Sequence, residues 1–79
     1  MIDAKQFELV LQTISMGLVA KIVADTGLDE DVAIEQLYSS RLYEVLERED
    51  TKVWHYSVHK LFDLWDEEMR TGQLVLPEY

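Results

Sequence analysis

The first third of the chain carries apolar residues on two opposite sides of one predicted helix. Residues 7–24 contain no Pro and a single Gly, Gly17, and at 100° per residue they divide into two stripes. The first stripe consists of Phe7, Val10, Leu11, Ile14, Leu18 and Ile22. The second consists of Leu9, Met16, Val19, Ala20 and Val23. Because a surface helix normally has one apolar stripe, this helix is expected to be central in its domain or shared with a second chain.

Start and stop signals along the chain predict four helices. The first covers residues 3–25, and Gly27 is placed to end it in a left-handed conformation. Gly72 is placed to end the fourth in the same way. The residues expected to cap the four helix N-termini are Asp3, Asp29, Ser39 or Ser40, and Ser57.

Each of the later helices has an apolar side that predicts its buried face. The expected buried residues are Val32, Ala33, Leu37 and Tyr38 in the second helix, Leu42, Val45 and Leu46 in the third, and Val58, Leu61, Phe62, Trp65 and Met69 in the fourth. Glu67 and Glu68 fall outside the last stripe. Residues 51–56 favour extended structure, so we expect a connector that drops Trp54 into the core.

The last seven residues, 73–79, are too short and too close to Pro77 to form another helix. Three consecutive apolar residues, Leu74, Val75 and Leu76, indicate that this tail docks either on its own core or on a partner. The chain is therefore predicted to be all-α. We expect residues 1–79 to form a single domain, a compact bundle of about four helices with short loops and an ordered C-terminal tail.

The strongly acidic balance excludes some partners. Sixteen Asp and Glu residues against seven Lys and Arg give a net charge of −9, which repels phosphate backbones and anionic lipid headgroups. Direct nucleic-acid binding and membrane binding are therefore not expected. Polar residues such as Glu8, Gln12 and Lys21 interrupt the first helix, which argues against a membrane span. With no Cys and no recognisable signal peptide, the expected location is cytoplasmic.

Two constellations of polar side chains are weak candidates for a metal site or a catalytic site. His59, Asp63 and Asp66 share one side of the fourth helix, but a surface ion pair explains them more simply than a metal site. Ser39 and Ser40 could be imagined as nucleophiles, but both are better explained as helix caps. No phosphate-binding Gly run is present, and so small a core leaves little room for a preorganised pocket. We expect no enzymatic activity, no metal and no cofactor.

A series of packing and capping residues gives the chain a resemblance to a protein family. The residues that carry it are Leu37, Tyr38, Ser39, Ser40, Tyr43, Leu46, Thr51, Trp54 and Ser57. Over residues 28–70 the chain resembles short bacterial proteins of about this length. Some similar families are encoded beside toxin genes, including ADP-ribosyltransferase-like ones, in toxin–antitoxin-type operons. The resemblance implies a small bacterial interaction protein and transfers no catalytic residue.

These observations favour a protein-interaction module, with a homodimer or a toxin-like enzyme as the candidate partners. A homodimer would bury the second stripe of the first helix and support a domain this small. The expected partner-binding residues are Leu9, Met16, Val19, Val23, Leu74 and Leu76. The alternatives are a helix-turn-helix regulator and a small domain with no activity of its own.

Overall fold

The computed structural model describes residues 3–76, apart from the side chain of Glu49. The chain is all-α over this range. It consists of four helices, α1 (Ala4–Thr26), α2 (Glu30–Tyr38), α3 (Arg41–Leu46) and α4 (Val58–Thr71), with two short 3-10 helices, Glu49–Thr51 and Val53–His55, between α3 and α4. The prediction of a compact four-helix bundle with short loops is confirmed.

The helix ends follow the predicted capping residues closely. The side chains of Asp3, Ser40 and Ser57 accept hydrogen bonds from backbone N–H groups in the first turns of α1, α3 and α4. Asp29 stands at the cap position of α2, but its side chain makes no capping hydrogen bond. Gly27 and Gly72 end α1 and α4 with φ values of 76° and 78°, which favour glycine because it has no Cβ.

Helix α1 packs against both α2 and α4, and the core forms along this contact. Its first stripe faces inward, with Phe7, Leu18 and Ile22 buried. The remaining buried apolar residues come from the other elements: Ala33, Leu37, Leu42, Leu46, Val53, Leu61, Leu64 and Trp65. Burial of these side chains supplies most of the stability, because helices this short are marginal alone.

A glycine sets the closeness of α1 and α4. A Cβ added at Gly17 would lie 3.2 Å from Cγ2 of Val58, tighter than ordinary van der Waals contact between carbon atoms. Gly17 therefore lets the two helices approach at a point where a larger side chain would push them apart.

The N-terminus of α3 is capped from a distant part of the chain. The carboxylate of Glu68 accepts hydrogen bonds from the backbone N–H groups of Arg41, at 2.8 Å, and Leu42, at 3.0 Å. Ser40 Oγ accepts from the N–H of Tyr43 at 3.1 Å. The first three N–H groups of α3, which lack partners inside the helix, are thereby all satisfied.

Several burial predictions are wrong, and each error has a local cause. Glu68 is buried because it caps α3. Val32, Tyr38 and Met69 are exposed, because the neighbouring elements cover only part of the apolar arc of each helix. In α4 the face turned to the core includes Leu64, which the predicted stripe omitted.

The connector between α3 and α4 is also not extended. Residues 49–51 and 53–55 form two 3-10 turns, and Lys52 between them has a φ of 61°. Val53 is the buried residue here, whereas Trp54 is half-buried with its ring 5.8 Å from that of Phe7. No partner strand is available within the described range of the chain, so local turn hydrogen bonds satisfy the backbone instead.

Candidate protein-interaction surface

The second apolar stripe of α1 leaves large side chains in solvent. Leu9 is 65% exposed and Met16 is 68% exposed. Thr13 and Ala20, which are also exposed, lie between and beyond them on the same side of the helix. We call Leu9, Thr13, Met16 and Ala20 the outer face of α1. Its residues lie opposite Leu11 and Leu18, which pack into the core.

Charge is absent from the middle of α1. Residues 9–20 contain no Asp, Glu, Lys or Arg, and the charged residues of the helix, Lys5, Glu8, Lys21 and Asp25, lie toward its two ends. The acidic excess of the chain is therefore carried by the later helices. In a protein with a net charge of −9, the outer face of α1 is a locally neutral surface on which a partner meets little electrostatic repulsion.

The hydroxyl of Thr13 makes this face more apolar than its sequence indicates. Thr13 Oγ1 donates a hydrogen bond to the carbonyl oxygen of Leu9 at 2.9 Å. Because the hydroxyl is already paired within the helix, burying Thr13 against a partner leaves no unsatisfied donor.

A groove runs between α1 and α2 beside the outer face. It has a volume of about 260 Å³ and is lined by Ser15, Met16, Val19, Ala20, Glu30, Ile34 and Tyr38. Ser15 is buried and donates to the carbonyl oxygen of Leu11 at 2.8 Å. The lining is therefore mainly apolar, with one acidic residue, Glu30, from the start of α2. We refer to this feature as the α1–α2 groove.

One wall of the α1–α2 groove contains a tyrosine that belongs to a stacked aromatic pair. The rings of Tyr38 and Tyr43 stack with their centroids 4.6 Å apart and an interplanar angle of 18°. Tyr38 is 53% exposed, whereas Tyr43 packs against the core. Burial is the main cause of a raised pKa for the Tyr43 phenol, the neighbouring Tyr38 and Glu47 raise this pKa further, and a hydrogen bond with Ser15 opposes them.

The residues predicted to bind a partner divide into two groups. Leu9 and Met16 project from the outer face, whereas Val19 and Val23 are half-buried and pack partly against the chain's own core. The contribution of α2 was not predicted from the sequence, because Tyr38 was expected in the core and Ile34 was not identified. The exposed fraction of Tyr38 depends on the packing angle between α2 and α1, and helix periodicity carries no information about that angle.

The C-terminal tail lies partly on the core. Leu74 packs against the core cluster, and Val75 and Leu76 are exposed. Leu74 and Gln73 line a separate hollow with Arg41 and Gly72 at the junction of α3 and α4. The predicted residues of the tail are therefore not brought into the α1–α2 groove. Residues 77–79 lie outside the described range.

The residues of the two constellations considered for chemistry make local contacts on α4 and at the junction of α2 and α3. His59 Nε2 lies 3.7 Å from Asp63 Oδ2, and both side chains are exposed. Asp66 accepts a hydrogen bond from Arg70 Nε at 3.2 Å instead of joining them. Among the described residues, no group of three or more His, Cys, Asp or Glu side chains could hold a metal ion. Ser39 Oγ donates to the carbonyl oxygen of Glu35 at 2.8 Å, and Ser40 caps α3.

Comparison with protein-family models, curated proteins and solved structures gave no match.

Helix α1 also has the length and composition of a membrane-crossing helix. Its mean hydropathy reaches 1.6 over 18 residues, and 22% of that window is buried in the fold. One such helix is weak evidence, because a core helix of a soluble protein and an N-terminal signal sequence satisfy the same criterion. In this structure the first stripe of α1 packs on α2 and α4, and this contact buries their apolar faces.

Proposed function

We propose that the protein is a small protein-interaction module that binds a partner through the outer face of α1 and the adjoining α1–α2 groove. The observation that carries the proposal is the exposure of Leu9 and Met16 on a stretch of helix without charge. Exposed apolar residues scattered singly are ordinary on a protein surface. Here they are aligned on one helix and continue into an apolar groove, which is typical of helix-in-groove recognition.

The proposal assigns no chemistry to the chain itself. It treats the protein as a non-enzymatic cytoplasmic binder, in keeping with the exposed position of His59 and Asp63 and the capping role of Ser40. The α1–α2 groove offers Glu30 as its one charged lining residue, without the convergent acid and base that catalysis requires.

A matched pair of variants tests the proposal. Met16→Glu places a charge in the outer face of α1, whereas Met69→Glu makes the same change at an exposed methionine of α4. Tagged wild-type protein should retain one stoichiometric companion, or a second copy of itself, from native lysate at low salt. Met16→Glu should lose this companion and Met69→Glu should keep it. Equal retention by both variants would show that α1 is not the binding surface.

An antitoxin-like inhibitor of a bacterial toxin-like enzyme is the second candidate, and it adds the acidic start of α2 to the same binding surface. The exposed acids Asp29, Glu30 and Asp31 begin α2 next to the α1–α2 groove, and they would attract a basic enzyme. On this proposal, binding to the companion should weaken steadily as salt rises from about 50 to 500 mM, because exposed charges are screened. Salt-independent binding would favour apolar recognition by α1 alone.

The helix-turn-helix alternative has less support from the geometry. A recognition helix presents basic or amide side chains to the DNA groove. Helix α3 has six residues, and the exposed side chains on it and just beyond it are Arg41, Glu44, Glu47 and Arg48. Failure to shift upstream DNA at low salt would remove this alternative.

A further inference from the structure

The spacing of the outer-face residues matches a coiled-coil seam. Leu9, Thr13, Met16, Ala20 and the half-buried Val23 are separated by 4, 3, 4 and 3 residues, which is the alternation of d and a positions in a heptad. The seam extends for about 21 Å along the helix at 1.5 Å per residue. A face of this form fits another helix with the same spacing.

A second copy of α1 satisfies that requirement in one orientation. When two copies run antiparallel with Leu9 opposite Ala20, Met16 necessarily lies opposite Thr13. Leu9 and Met16, the two exposed large side chains of the seam, then each face a small one, and a faces d as antiparallel pairing requires. Val23 lies opposite Gln6, at the end of the paired segment. A parallel pair in register would place Leu9 on Leu9 and Met16 on Met16, and would leave the small residues facing each other.

Charge also favours a second copy at this place and disfavours it elsewhere. Two chains of net charge −9 repel one another. The electrostatic repulsion between them is lowest when they meet at residues 9–20, which carry no charge. Antiparallel pairing additionally sets the positive end of each helix dipole near the negative end of the other. The hydroxyl of Thr13 is already bonded to Leu9, so it does not oppose burial.

We propose that the partner on the outer face of α1 is a second copy of the chain, paired antiparallel with Leu9 opposite Ala20 and Met16 opposite Thr13. This inference rests on the proposed function, since it names the occupant of the same surface. Groove residues Ile34 and Tyr38 flank the paired helices on the α2 side and enlarge the apolar area that each copy buries.

Sedimentation equilibrium and engineered cross-links test the inference together. Wild-type protein and Met69→Glu should have twice the chain mass of 9.3 kDa. Met16→Glu should weaken self-association by about 100-fold, as expected for a charge at the centre of an apolar interface, while its circular dichroism stays helical. A monomeric wild-type protein at micromolar concentrations would overturn the inference.

Cysteine variants determine the orientation, because the chain has no cysteine of its own. Leu9→Cys mixed with Ala20→Cys should form a disulfide-linked dimer on mild oxidation. Either variant alone should stay unlinked, since antiparallel pairing separates identical positions by about 16 Å along the axis. Efficient linking of Leu9→Cys to itself, without linking in the mixture, would overturn the antiparallel arrangement.

The same samples separate failure of the dimer from failure of the proposed function. A monomer that captures another protein in a Met16-dependent manner would refute self-pairing and leave the interaction module standing. A monomer that instead binds zwitterionic phosphatidylcholine vesicles, which carry no net charge, through Met16 would refute both proposals and assign the outer face of α1 to a membrane surface.

Discussion

The carboxylate of Glu68 accepts a hydrogen bond from the backbone N–H of Leu42 at 3.0 Å, across 26 residues of sequence. Its second oxygen accepts from the N–H of Arg41 at 2.8 Å. A single buried side chain of α4 thus caps the N-terminus of α3. This helix has six residues and little stability of its own. The favourable placement of a negative charge at a helix N-terminus adds to these two hydrogen bonds.

Replacing Glu68 by Ala should lower the free energy of unfolding by about 2–3 kcal/mol, because the buried N–H group of Leu42 and the partly buried N–H group of Arg41 lose a charged acceptor. Urea denaturation at fixed protein concentration measures the effect. Glu68→Gln should lie between Ala and wild type, because its amide offers one acceptor oxygen and sets its NH₂ group against the second N–H.

Glu67 provides the matched control for that series. It is the adjacent acid on α4, but its side chain is only partly buried. Glu67→Ala should change the free energy of unfolding by less than about 0.5 kcal/mol, as is usual for surface substitutions. Equal losses from Glu67→Ala and Glu68→Ala would mean that net charge, and not the cap on α3, sets the effect.

A second prediction concerns the contact between α1 and α4 at Gly17. Gly17→Val should destabilise the fold by about 1–3 kcal/mol, because its side chain would overlap the methyl groups of Val58. Gln12→Val introduces the same β-branched residue at an exposed position of α1 and should have a much smaller effect. Thermal unfolding in the Met16→Glu background keeps both measurements independent of self-association.

If Gly17→Val were as stable as Gln12→Val, α1 and α4 would have room to separate. A double variant that combines Gly17→Val with Val58→Ala supplies an independent check. It should recover part of the loss caused by Gly17→Val, since the two residues are in contact and their effects are therefore not additive.

The elements and caps of this fold were predictable because their signals are local. Gly27, Ser57 and Gly72 act on backbone groups within four residues of themselves, so sequence spacing identifies them. Glu68 acts on Leu42, far away in sequence, and helix periodicity placed it among solvated residues. Long-range capping leaves no local pattern, which is why it emerged only from the packed structure.

The candidate surface was predictable only in part from the sequence. The sequence identified the second stripe of α1 as a candidate partner face without deciding whether it is exposed; Leu9 and Met16 prove exposed, whereas Val19 and Val23 are half-buried. The groove wall formed by Tyr38 was not foreseen, because its position depends on the angle between α1 and α2. Periodicity identifies which side of a helix is apolar, but how far a neighbouring helix covers that side is decided by tertiary packing.

A third prediction concerns the aromatic wall itself. Tyr38→Ala should remove the exposed half of the stacked Tyr38–Tyr43 pair and weaken self-association by about tenfold, the usual loss for an aromatic at the margin of an interface. Because Tyr38 is largely in solvent, the free energy of unfolding measured in the Met16→Glu background should fall by less than about 1 kcal/mol. A large loss of stability with unchanged self-association would place Tyr38 in the fold and not in the interface.

Tyr43 gives the protein a pH dependence of known sign. Burial, followed by the nearby Tyr38, raises the pKa of its phenol above the ordinary value of 10.0, and the folded state therefore prefers the neutral form. Its contribution to stability is fully present below pH 10 and is lost as the pH rises through the folded pKa. The free energy of unfolding of wild-type protein should consequently fall more steeply above pH 10 than that of Tyr43→Phe. The two proteins share every other ionisable group, so the difference between the two curves isolates Tyr43, and parallel curves would contradict a raised pKa.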